Sequence, residues 1–302
     1  MKAIKIEKLV KNYQTNQVLK EVDLEIEEWD FFALLWHNWA GKTTMISIMT
    51  NLVNKNSWKV EINGVDIDSD FGLARSYIWV VPQEFNFDIF AKVRDICMTQ
   101  AGYYGIAKDV ASQRVDYYLE KLWLAEKANA KARELSGWMK RRLMIARALI
   151  HEPKILVLDE PTAWVDVELR QSMWEFIKEL NANWTTILLT THYLEEVEAL
   201  CKNVAIINKW QIIENTSVKQ LLTKLDEEII VLNTLDDITE INQELLEKFH
   251  AIILNKNELE VTISKKYSLN DLFVALNNSQ INVTSFRNKV NRLEKLFIDM
   301  TR

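Results

Sequence analysis

Glycine is scarce: six among 302 residues, where globular chains average about 7%. No run of about 18 or more apolar residues occurs, so no segment is expected to span a membrane. The opening residues, Met1-Lys2-Ala3-Ile4-Lys5-Ile6-Glu7, carry no apolar leader, which argues against secretion. The two cysteines, Cys97 and Cys201, lack metal-ligand spacing and read as buried thiols of a cytosolic protein. An excess of basic charge is also missing. The formal net charge is −6 and the pI near 5.5, so no nucleic-acid partner is expected. What remains is an ordinary soluble composition, 48% hydrophobic and 26% charged, long enough for two domains.

Tryptophan, by contrast, is abundant, with eleven residues. Trp174, in Ser-Met-Trp-Glu-Phe-Ile-Lys-Glu-Leu, reads as part of an amphipathic helix. The other ten (29, 36, 39, 58, 79, 123, 138, 164, 184 and 210) read as standing in glycine positions. Lys209-Trp210 lies between two strand-like runs, where a tight hairpin needs φ > 0. Trp184 follows a helix end, at the place of a terminating glycine.

Residues 36–44 read Trp-His-Asn-Trp-Ala-Gly-Lys-Thr-Thr. The phosphate-loop pattern is G-x-x-x-x-G-K-[ST]. Its second half is intact here, and Trp36 stands at its first glycine. Phe31 to Leu35 reads as an apolar strand before the loop, and Met45, Ile46, Ile48 and Met49 as the apolar positions of a helix after it. That is the context in which backbone N–H groups cradle phosphates and a threonine hydroxyl ligates Mg²⁺. The candidates for nucleotide contact are Asn38, Ala40, Gly41, Lys42, Thr43 and Thr44.

Further along, Ile155 to Leu158 reads as a buried strand ending in Asp159-Glu160. Asp159 would reach the Mg²⁺ held by Thr43, and Glu160 would polarise a water in line with the γ-phosphate. Gln83, at a strand end, would place an amide near Mg²⁺ and water, and His192 would hydrogen-bond the γ-phosphate or that water. Ser136 and Gly137 open a helix whose N-terminus suits an anion. The ring of Tyr13 is suited to stacking on adenine. Strands and helices alternate, implying a doubly wound α/β core. Residues 89–150 read as mostly helical. After about residue 220 the pattern changes to strand, helix (238–249), hairpin, helix, strand, helix.

Together these motifs resemble the nucleotide-binding subunit of ATP-binding-cassette (ABC) transporters, over about residues 3–220. The resemblance aligns Tyr13 with the family's aromatic A-loop, residues 36–44 with Walker A, and Gln83 with the Q-loop. Leu135 to Met139 match the L-S-G-G-Q signature. Asp159 and Glu160 match the Walker B aspartate and catalytic glutamate, Asp166 the D-loop aspartate and His192 the switch histidine. Met139-Lys-Arg-Arg-Leu and the C-terminal part look most like the ABC-2 type exporter branch. The resemblance implies a P-loop NTPase core over 1–220 with an antiparallel β subdomain and a helical subdomain. A small α+β domain would follow over 221–302. It also implies ATP and Mg²⁺ as ligands, a homodimer sandwiching two ATP molecules, a separate membrane permease as partner, and a cytoplasmic place at the inner face of the membrane through that permease.

The departures are Trp36 and Trp39 in Walker A, Trp138 at the second signature glycine and Trp164 before the D-loop. A β-carbon there obstructs close phosphate approach, which predicts impaired folding, weak ATP binding and little hydrolysis. Either the active molecule has glycine at these sites, or the chain is a degenerate scaffold. Retention of Lys42, Gln83, Glu160 and His192 favours the first. A non-transport ABC protein acting on ribosomes or DNA is the other class; those usually carry tandem cassettes or long insertions, and this chain has one cassette.

Overall fold

The computed structural model describes every residue except 37, 38, 57, 58, 163–165, 290 and 302, and every side chain except those and 39, 40 and 167. Asn38, Trp58 and Trp164 therefore lie outside the described residues, as do the side chains of Trp39 and Ala40. The chain forms two compact units, Met1–Thr216 and Ser217–Arg302.

The first unit begins with β1 (Lys2–Tyr13) and β2 (Asn16–Glu27), then β3 (Phe31–Trp36) and α1 (Trp39–Met49). Next come β4 (Val60–Ile62), β5 (Val65–Asp66), α2 (Phe71–Tyr77) and β6 (Ile78–Val81). Three helices follow: α3 (Val93–Tyr103), α4 (Lys108–Lys121) and α5 (Gly137–Leu149). The unit ends with β7 (Ile155–Asp159), α6 (Val167–Ala182), β8 (Thr186–Thr190), α7 (Leu194–Leu200), β9 (Asn203–Asn208) and β10 (Gln211–Ser217).

Two sheets result. One has the order β2-β1-β4-β5 and is antiparallel; the other has the order β10-β9-β3-β8-β7-β6. Within the second, β9, β3, β8, β7 and β6 run parallel. The central strands are continuous apolar runs because both faces are covered: Phe31–Leu35, Ile155–Leu158 and Ile187–Leu189 are all buried. The first helix carries apolar residues on several sides, and Met45, Ile46, Ile48 and Met49 all pack into one core with Ile4, Leu24, Phe32 and Leu188.

Turn chemistry follows the backbone. Asn63 (φ 50°) and Gly64 (φ 77°) join β4 to β5, and Lys209 (φ 46°) and Trp210 (φ 73°) join β9 to β10, both in the left-handed pairs of a tight hairpin. Trp29 (φ 62°), Trp123 (φ 54°) and Trp184 (φ 68°) are also left-handed. Trp123 and Trp184 each follow a helix end. Trp123 donates to the Glu120 carbonyl at 2.9 Å and Leu124 to that of Leu119 at 2.7 Å, the paired bonds of a glycine-type helix stop. Trp36, Trp79 and Trp138 are different: none has positive φ. Trp79 lies within β6 and Trp138 in the first turn of α5, so backbone handedness gives no reason for glycine there.

The second unit contains α8 (Val218–Leu222), β11 (Glu227–Thr234), α9 (Gln243–Phe249), β12 (Ile252–Asn255), β13 (Glu258–Ser264), α10 (Leu269–Asn278), β14 (Val283–Asn288) and α11 (Arg292–Thr301). Its antiparallel sheet has the order β12-β13-β11-β14. The helix expected over 238–249 forms only from Gln243. Asn242 caps it by accepting the Leu245 N–H at 2.8 Å, while the Ile238 N–H pairs with the Lys256 carbonyl at 2.7 Å.

Candidate functional site

Four neighbouring parallel strands, β3, β8, β7 and β6, end on the same edge of the sheet. Open parallel sheets place ligands at that edge. Trp36 ends β3 and leads into α1, which carries Lys42 and Thr43; Gln83 follows β6; Asp159 ends β7; His192 follows β8.

Lys42 is the hub. It is 6% exposed, and its Nζ lies 2.8 Å from Asp159 Oδ1 and 3.3 Å from Glu160 Oε1. The other oxygen of Glu160, Oε2, accepts from Gln83 Nε2 at 3.1 Å and lies 3.3 Å from His192 Nδ1. Asp159 Oδ1 also accepts from the Thr190 hydroxyl at 2.6 Å. Two adjacent residues of a strand point to opposite faces, yet both carboxylates reach one lysine. The backbone explains it. Glu160 is left-handed (φ 51°), breaking the alternation just after β7, and its N–H is held by the Thr190 carbonyl at 2.8 Å. Strained residues of this kind gather at functional sites.

Burial sharpens these interactions, since Glu160 is only 3% exposed and charges in a weakly polar interior are poorly screened. The exposed Thr43 and the half-buried Asp159 line a cleft of about 390 Å³, with Ser47, Trp79, Pro82 and Asn86. The donor set fits a magnesium-bound phosphate: carboxylate, hydroxyl and amide oxygens suit that cation, and lysine suits the anion. The Trp36 carbon skeleton fits less well. An ideal β-carbon on Gly41 would stand 2.0 Å from Trp36 Cζ2, so the indole lies against the Gly41 backbone.

The remaining candidates stand apart. Among the described residues, no hydrogen bond or ion pair joins Tyr13, Ser136 or Asp166 to the cluster. Tyr13 is at the end of β1 with Lys11 Nζ 4.8 Å from its ring centroid. Ser136 caps α5, accepting the Met139 N–H at 3.2 Å, and Gly137 begins that helix. Asp166 is at the start of α6 with no side-chain cap bond. Thr44 is buried beside Lys42. Both cysteines are free and buried, and burial pushes the Cys97 thiol up to about 12. Among the described residues no cluster of metal-ligating side chains stands out.

Sequence reasoning missed three contributors. Thr190 is one. Arg141 and Arg147 are the others, on the buried stretch of α5. Arg141 Nη1 donates to the Pro82 carbonyl at 2.7 Å and Nη2 to that of Gln83 at 2.6 Å. Arg147 Nη1 donates to the Asn86 carbonyl at 3.2 Å. A signal existed: arginines interleaved with Leu143, Met144, Ile145 and Ala146 on a helix must find acceptors once buried.

The family model described as ABC transporter matches residues 19–163. The linearmycin resistance ATP-binding protein of Bacillus subtilis is 30% identical over 99% of this chain and 98% of that protein. The chain belongs to the ABC transporter ATPases, as an ATP-binding subunit. A Nod factor export ATP-binding protein of Burkholderia pseudomallei is 36% identical over 72% of each chain. Among solved structures, an ABC subunit of Clostridium perfringens superposes with a TM-score of 0.67 at 26% identity, covering 74% of this chain and 91% of that one. A bacterial cassette solved as a dimer superposes at 0.64 with 24% identity, over 71% of this chain and 98% of that one; it supports the fold. No helix among the described residues is long and apolar enough to cross a membrane.

Proposed function

We propose that this ATPase subunit drives an exporter of the ABC-2 type, as a homodimer working with a separate membrane permease at the inner face of the cell membrane. The observation that carries the catalytic part is the convergence of Lys42, Asp159, Glu160, Gln83 and His192 at adjacent strand ends. Relatives named for Nod factor export and linearmycin resistance support the transport part.

Lys42 and the N–H groups at the start of α1 hold the β- and γ-phosphates of ATP. Thr43, Asp159 and Gln83 are the residues that would hold Mg²⁺, which supplies charge neutralisation between the phosphates. Glu160 orients the attacking water and takes its proton as the water oxygen bonds to the γ-phosphorus and the bond to ADP breaks. His192, 3.3 Å from Glu160, fixes that carboxylate and reaches toward the γ-phosphate. Tyr13 stacks on adenine. Ser136, Gly137 and Asp166, outside the cluster, contact nucleotide held by the partner copy. That division explains why one chain alone does not gather all the candidates.

The test is phosphate release from MgATP by the full chain. Glu160→Gln should lower it about 10²–10⁴-fold, the usual weight of a general base, with nucleotide binding kept. Unchanged release in that variant would refute the assignment. Co-purification with a permease checks the transport part.

A further inference from the structure

We infer that the ten tryptophans other than Trp174 are glycine in the protein as its own cells make it, specified by a codon that different genetic codes read as tryptophan or as glycine. UGA is such a codon. The inference stands first on backbone and packing; only the phosphate-loop match and the nucleotide-affinity test rest on the ATPase reading.

Four of the ten occupy left-handed backbone, at φ between 54° and 73°. The other described non-glycine residues with positive φ are Lys, Gln, Glu, Asn and His; tryptophan is the one bulky aromatic type forced there. Three of those four, Trp29, Trp123 and Trp184, are more than half exposed, so core burial does not explain them; Trp29 and Trp184 meet only edge to face at 4.7 Å, and Trp123 meets Arg142. Trp36 lies so close to Gly41 that its indole occupies the place of a β-carbon there. Trp79 and Trp138 have no unusual φ, but each buries its indole N–H without a hydrogen-bond acceptor, an arrangement that buried tryptophans avoid. Trp174 behaves differently: its N–H donates to Glu196 Oε1 at 3.3 Å. The one tryptophan in an ordinary helical pattern is thus the one with a satisfied indole among these three. With glycine restored, residues 36–44 become Gly-His-Asn-Gly-Ala-Gly-Lys-Thr-Thr and match the full phosphate-loop pattern. A random loss would not select left-handed turns, helix stops and the loop together, whereas one reassigned codon replaces one residue type wherever it occurs.

Peptide mass analysis of the chain isolated from the cells that encode it decides the matter, together with the codons of its gene. Tryptic peptide 210–219 reports on Trp210, peptide 21–42 on positions 29, 36 and 39, and peptide 171–178 on Trp174. Glycine masses at the ten positions, a tryptophan mass in 171–178, UGA at the ten codons and UGG at codon 174 are expected. Tryptophan at any of positions 29, 36, 123, 184 or 210, or UGG at the ten codons, would overturn the inference. In a recombinant comparison, the ten-glycine chain should bind a fluorescent ATP analogue at least tenfold more tightly than the tryptophan chain. Equal affinity would count against it.

Discussion

At the scale of single residues, the site depends on one backbone reversal. Glu160 turns left-handed and brings its carboxylate beside that of Asp159, onto Lys42. The same conformation is a cost at the turns: an L-residue in it loses about 1–2 kcal/mol. Trp210 has no aromatic or cationic ring partner among the described residues, and its partial burial offsets only part of that cost. Trp210→Gly should raise stability by about 1 kcal/mol, read as a higher urea midpoint at unchanged slope. At Trp123 the gain should be smaller, because the Arg142 guanidinium sits 4.5 Å from the ring centroid, a contact worth about 0.5–1 kcal/mol when exposed. Glu196 is fully buried, bonded by the Thr162 hydroxyl and the Trp174 indole. Burial raises its pKa above the ordinary 4.5. The folded state then holds this proton more tightly than the unfolded chain. Its contribution to stability is largest below pH 4.5 and declines as pH rises through the raised value. Glu196→Gln should flatten that part of the pH–stability curve, measured by thermal melts across pH; an unchanged slope would contradict the assignment.

At the scale of elements, helix α5 does two things. Its N-terminal end carries Ser136 and Gly137, and its buried side carries Arg141, whose guanidinium clasps the carbonyls of Pro82 and Gln83. Gln83 in turn donates to Glu160. A shift of α5 therefore moves the Gln83 segment, giving a physical link between Ser136 and the carboxylate of Glu160. Arg141→Lys keeps the charge but loses the paired donors. It should lower kcat about tenfold with KM for ATP little changed, in steady-state phosphate release; a pure loss of folded protein, seen by melting, would instead mark Arg141 as structural. The elements themselves were largely readable. The apolar runs of β3, β7 and β8 and the Asn63-Gly64 hairpin carry local signals strong enough to place them. The helix expected from 238 was not readable, because its start was moved by Asn242 as a cap and by a bond from Ile238 across to Lys256. Arg141 was missed for a similar reason, since its acceptors lie 59 and 58 positions away in the chain.

At the scale of the whole molecule, the chain is two compact units, Met1–Thr216 and Ser217–Arg302, each with an apolar core of its own. One is built on the two sheets around α1, the other on the β11–β14 sheet with Leu245, Phe249, Leu272 and Leu276. We propose that these are the catalytic cassette and a separable accessory domain. Expressed alone, residues 217–302 should melt cooperatively, and residues 1–216 should still bind nucleotide. A non-cooperative melt of 217–302 would show that the second core depends on the first.

The amino-acid order by itself determined the family, the order of motifs and the residue types suited to a phosphate, because the phosphate-loop pattern, the apolar strands and the turns are each encoded within a few neighbouring positions. The tertiary structure decided which of those residues touch. Lys42, Gln83, Asp159, Glu160 and His192 are spread over 150 positions of chain and meet because parallel strands align their ends at one edge of a sheet. It also decided how each tryptophan stands: left-handed at four turns, pressed on Gly41 at one, and satisfied at Trp174. Backbone handedness and indole hydrogen bonding are properties of the folded chain, set by partners that no local stretch contains.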